Sequence, residues 1–92
     1  MMDVEYMEEQ IKALVDEIND MTAMLSALKR MSTLANEIKW LSDKYGIDDI
    51  SKDADEILTS SIKKMAVLRE KIETYRAEVE GLRKKLKRMG VV

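Results

Sequence analysis

The sequence contains no cysteine, proline, histidine or phenylalanine, only three glycines and a single tryptophan. Without cysteine there is no disulfide, no thiolate nucleophile and no thiolate metal site. Without histidine the commonest general base near neutral pH and the commonest metal ligand are gone. No run approaches the ~18 apolar residues of a membrane-spanning helix. The N-terminal stretch carries Asp3, Glu5, Glu8 and Glu9, where a secretory signal would be basic and then apolar. A cytoplasmic protein with no cofactor and no metal is the expectation. A chain lacking proline and poor in glycine has few places to turn, so long uninterrupted elements are predicted.

What is present is helix-forming. Charged residues make up 37% of the chain and hydrophobic ones 46%, with Ala, Glu, Lys, Leu, Ile and Met prominent. That mixture is typical of coiled coils and helical bundles. Along the first half, Val4, Met7, Ile11, Leu14, Ile18, Met21, Leu25 and Leu28 follow alternating steps of three and four, the spacing of a heptad seam. Following the apolar residues onward through Met31, Leu34, Ile38, Leu41 and Tyr45 requires two successive steps of three, a stammer that overwinds a coil locally. The second half runs Leu58, Ile62, Met65, Leu68, Ile72, Tyr75, Val79, Leu82, Leu86 and Met89, with a similar irregularity at Ile62 to Leu68. Gly81 lies inside this ladder at a cost of about 1 kcal/mol relative to alanine and is read as helical.

Between the ladders lies Tyr45-Gly46-Ile47-Asp48-Asp49-Ile50-Ser51-Lys52-Asp53. Gly46 suits a left-handed helix stop, and Ser51 or Asp53 suits the cap of a second helix. Folded there, the ladders reflect onto each other about Asp48: Leu28 falls opposite Leu68, Met31 opposite Met65, Leu34 opposite Ile62, Met21 opposite Tyr75, Leu14 opposite Leu82 and Met7 opposite Met89. The predicted fold is an all-α, long antiparallel helical hairpin of coiled-coil type, a single domain over residues 1–92 with helices at about 3–45 and 52–90. A break at Ser32-Thr33 would give three helices, but neither glycine nor proline supports a turn there.

The charge is unevenly spread. Residues 1–60 hold fourteen acids against six bases, and residues 61–92 hold ten bases against four acids. The hairpin register accounts for this, bringing Glu8 near Arg88, Glu9 near Lys87 and Asp20 near Arg76. Exposed pairs contribute only ~0–1 kcal/mol each, so they set orientation more than stability.

Two helices touching along one seam cannot enclose a core by themselves. Val15, Met24, Trp40, Ile57 and Val67 lie off the seam and are the candidate protein-interface residues, with several alanines permitting close approach. A homodimer forming a four-helix bundle is the first expectation, with exchange of helices between chains as a variant. The Met residues read mainly as seam fillers, and Trp40 as a residue buried in the dimer. The loop acids Asp48, Asp49, Asp53, Asp55 and Glu56 lack the spacing of a calcium loop and read as caps.

The run Arg83-Lys84-Lys85-Leu86-Lys87-Arg88 offers possible anion or nucleic-acid contacts at Arg83, Lys84, Lys85, Lys87 and Arg88. In size the chain is similar to small dimeric hairpin proteins that bind RNA loops. The stretch Leu14 to Lys39 resembles the long first helix of the all-helical chorismate mutases, with Arg30 and Lys39 in the place of anion-binding bases. That resemblance implies a small helical enzyme acting by electrostatic stabilisation. Val15 stands where that family carries arginine, and the heptad-rich C-terminal half departs from its third helix. The leading expectation is a structural or adaptor protein without enzymatic activity, acting through helix–helix interaction with itself and a protein partner. Nucleic-acid binding is the alternative, and a chorismate-mutase-type enzyme stands last.

Overall fold

A computed structural model describes residues 3–90 of the chain. It contains two α-helices, α1 (Val4–Lys44) and α2 (Asp48–Arg88), joined by the three residues Tyr45, Gly46 and Ile47. The fold is an all-α helical hairpin closed within one chain. α1 passes through Ser32-Thr33 without a break, and Gly81 is interior to α2. The hydroxyls of Ser32 and Thr33 both donate to the Lys29 carbonyl, so neither competes with the helix as a cap.

Each helix end has a local cause. Asp3 caps α1, its carboxylate accepting the Tyr6 N–H at 2.7 Å. At the other end Gly46 takes a φ of +69°, the left-handed region that a side chain disfavours. The Ile47 N–H then donates to the Ser42 carbonyl at 2.9 Å and the Gly46 N–H to the Asp43 carbonyl at 3.3 Å. These two bonds form a Schellman motif and satisfy carbonyls the helix would otherwise leave open. Gly90, at φ +77°, follows the end of α2 in the same conformation.

The second helix starts at Asp48, earlier than the expected residue 52. Ile47 completes the first helix's cap while its own carbonyl accepts the Ser51 N–H, so one residue closes α1 and opens α2. Ser51 and Asp53 therefore do not serve as caps. The Ser51 hydroxyl instead donates across the turn to the Asp43 carboxylate, and the Asp49 carboxylate accepts the Ile50 N–H. Asp48 and Asp49 place negative charge in the first turn, where the helix dipole favours it.

The chain divides into two compact units. In the terminal unit, α1 up to Thr22 packs with α2 from Glu70. Its seam consists of Val4, Met7, Ile11, Leu14, Ile18 and Met21 with Ile72, Tyr75, Val79, Leu82 and Leu86, all buried or half-buried. In the turn-proximal unit, Ala23–Arg69, the seam departs from the apolar ladder. It runs Leu25, Leu28, Ser32, Ala35, Lys39 and Ser42 on α1, and Ser51, Ala54, Leu58, Ser61, Met65 and Leu68 on α2.

The steps of three and four thus continue without a stammer in both helices. Met31, Leu34, Ile38, Leu41, Tyr45 and Ile62 are exposed rather than at the seam, and so is Met89, one residue past the end of α2. The physical reason is twofold. A stammer needs local overwinding, whereas continuing the regular spacing needs none. The small residues it meets are also acceptable inside, because the fully buried Ser61 returns its hydroxyl to the Ile57 carbonyl at 2.7 Å.

Ion pairs also differ from expectation. Among the described residues they are Lys39–Asp55 at 2.9 Å, Arg76–Glu73 at 3.1 Å and Arg83–Glu80 at 3.8 Å. Arg76 meets the acid three residues back on its own helix rather than Asp20. Lys39 occupies a seam position but reaches outward along its aliphatic stem to Asp55.

Candidate interaction face

The large apolar residues displaced from the turn-proximal seam are themselves ordered. Met24, Ala27, Met31, Leu34, Ile38, Leu41 and Tyr45 follow alternating steps of three and four, the first six each one residue before a seam position. They form a second ladder along one side of α1, adjacent to the first. Ile50, Ile57 and Val67 lie on the matching side of α2. A groove lined by Met24, Ala27, Leu28, Met31, Lys64, Val67 and Leu68 adjoins another lined by Met31, Leu34, Ala35, Ile38, Ile50, Asp53, Ala54 and Ile57. Met31 belongs to both, so the two are one continuous apolar face within this unit.

This face is open to water. Leu34 is 57% exposed, Met24 54% and Val67 54%. Burying such a side chain completely is worth about 1.5–3 kcal/mol, so each half-exposed one retains roughly 1 kcal/mol of burial not yet realised. The opposite side of the same unit carries polar crossings beside the exposed Trp40 and Ile62. There the Lys39–Asp55 pair and the Ser51–Asp43 hydrogen bond cross between the helices. The Asp55 carboxylate, by hydrogen bond and charge, holds the Lys39 ammonium's pKa above its ordinary value.

The sequence-derived interface residues separate in the structure. Met24, Ile57 and Val67 line the face. Val15 does not: it is half-buried in the terminal unit beside Ile18, Val79 and Arg83. Trp40 follows Ile38 by two residues, which turns it roughly 200° around α1. It is 62% exposed and lies with its ring 5.3 Å from the Lys44 ammonium, a cation–π distance. Missed by the sequence reading as surface residues were Met31, Leu34, Ile38 and Ile50. The signal was their common offset of one position from a strictly continued heptad.

The basic run forms a solvated helix end. Leu86 is buried, Arg83 approaches Glu80, and Lys84, Lys85, Lys87 and Arg88 are exposed. In the same unit the Tyr75 phenol has its pKa raised, first by the Glu17 charge and then by desolvation. Arg30 and Lys39 stand nine residues apart on α1, on roughly opposite sides of the helix, and Lys39 is engaged by Asp55. Among the described residues no three acidic side chains gather as a metal-ligand set.

Compared with known proteins, the chain matches no family model, no curated protein and no solved structure. The class defined by the fold itself is a two-helix all-α hairpin, with a continuous apolar face in its turn-proximal unit. Among the described residues no helix is long and apolar enough to cross a membrane.

Proposed function

We propose that this chain is a structural or adaptor protein that works by helix–helix association as a homo-oligomer, using the apolar face of its turn-proximal unit. The observation that supports this reading is the second heptad ladder, Met24 to Tyr45, left open beside a seam that is already filled. A stripe of that period and width is what a further helix layer packs against in a four-helix bundle. A lone hairpin gains nothing from exposing it, because contiguous exposed apolar patches favour aggregation unless covered. A cytoplasmic setting accords with a chain that uses no disulfide.

Sedimentation equilibrium tests the proposal. The wild-type chain is expected to show the mass of a dimer at about 10 μM, within the micromolar range typical of a modest interface. Leu34→Glu or Ile38→Glu is expected to give a monomer with unchanged helical circular dichroism. A wild-type monomer throughout that range would sink the reading. The exposed cluster Lys84, Lys85, Lys87 and Arg88 supports nucleic-acid binding as the second reading. Its mark would be RNA or DNA retention that weakens steeply with salt.

A further inference from the structure

Three charged residues line the otherwise apolar face, and all belong to α2. Lys64 stands near one end of the groove and Asp53 near the other, with Glu56, Ile57 and Ser60 between them. An ammonium and a carboxylate set in an apolar strip are costly to cover unless each meets its opposite. Their midpoint on α2 falls between Leu58 and Thr59. Reflection about that midpoint carries Asp53 onto Lys64, Ile50 onto Val67 and Ile57 onto Ser60. The hairpin register places the same level on α1 between Glu37 and Ile38, and reflection there carries Leu34 onto Leu41. These apolar residues thus fall on apolar or small ones, the single cation falls on Asp53, and Glu56 falls level with Ser61.

Resting on the homo-oligomer reading above, we infer that the occupant of this face is a second copy of the chain, docked about a two-fold axis that crosses the helices at the level of Leu58-Thr59. Each α2 lies antiparallel on the α2 of the other copy, with the two turns pointing in opposite directions. Asp53 of each copy pairs with Lys64 of the other, giving two equivalent ion pairs, as an isologous interface requires. An axis running along the helices, with both turns at one end, sets Lys64 against the Met31 region of the opposite α1 and leaves it without an acid. Like charges or unpaired charges at such positions are strongly disfavoured, which is how a surface selects its orientation.

The absence of cysteine makes the test direct. Ile50→Cys and Val67→Cys chains, mixed in equal amounts and oxidised, are expected to form the mixed disulfide, while neither forms a disulfide with itself. Two Val67 positions would be roughly 25 Å apart along the axis, far beyond the reach of a disulfide. Lys64→Asp and Asp53→Lys alone are each expected to weaken dimerisation by about tenfold or more, and the two combined in one chain to restore it to within about threefold. Self-linking by Val67→Cys, or a double variant as weak as the singles, in a wild-type chain that sediments as a dimer overturns the antiparallel docking alone. A wild-type monomer overturns both this inference and the reading beneath it.

Discussion

The two units of this hairpin spend the same kind of residue differently. In the terminal unit the large side chains Met7, Met21, Ile72, Val79 and Leu86 lie inside, each less than a tenth exposed. In the turn-proximal unit much of the buried seam is Ala35, Ser42, Ala54 and Ser61, while Met31, Leu34, Ile38, Ile50 and Ile57 face water. Both units keep the same heptad spacing, so spacing alone does not tell where the hydrophobic stabilisation resides. What distinguishes them is the size of the residue at the seam. Large residues there complete a two-helix contact, and small ones leave the apolar surface to something outside it.

That contrast can be broken from either side. The largest effect is expected for Ile72→Ala, which empties a buried seam position and should destabilise the chain by about 2–5 kcal/mol in urea unfolding. Leu34→Ala should cost the monomer less than about 1 kcal/mol, since its side chain is already more than half solvated. Equal losses at the two positions would erase the distinction between the units. Next comes Ser61→Leu. Forcing a large side chain into this filled site should destabilise by about 1–3 kcal/mol, whereas stabilisation would show that the turn-proximal seam accepts large residues after all.

Gly81→Ala sharpens the picture of the terminal unit. A methyl group there meets no atom within 4 Å, so the variant should gain about 1 kcal/mol from helix propensity alone. The smallest effect is at alkaline pH. Tyr75 in one unit and Lys39 in the other both have pKa values raised above their ordinary 10.0 and 10.5. Their contributions are complete below those ordinary values and are lost as pH rises through the raised ones. The melting temperature should therefore fall on that alkaline limb, and Tyr75→Phe with Lys39→Met should flatten the fall. No change of slope in the double variant would remove both groups from the account.

Much of this was legible in the sequence, and the part that was not has an identifiable cause. The helix pair, the stop at Gly46, the continuity through Ser32-Thr33 and the interior place of Gly81 follow from spacing and from the scarcity of helix breakers. The path of the seam near the turn does not follow from hydrophobicity. Tracking apolar residues leads through Met31, Leu34 and Ile38, and only a strict count of three and four leads through Ser32, Ala35 and Lys39. The apparent stammer in α1 marks the place where two parallel ladders were read as one, and that in α2 comes from Ile62, one residue past the seam position Ser61. Of the interface candidates, Met24, Ile57 and Val67 share a face because they occupy neighbouring heptad positions. Trp40, read from the sequence as buried in the dimer, does not share it, since helical phase points it elsewhere. The cap of α2 was misplaced for a related reason. Ser51 and Asp53 have suitable side chains, but the Gly46 conformation had already positioned Ile47 to begin the helix.

That double duty of Ile47 leaves the turn without slack. With no spare residue between the helices, lengthening the link by one would rotate or slide α2 out of phase, and every pairing upstream would inherit the error. A whole heptad added to both arms would, by contrast, restore the phase. Changes of length in this molecule are therefore tolerated in matched sevens along its arms and penalised singly at its corner, so the corner acts as the origin from which all other positions are measured.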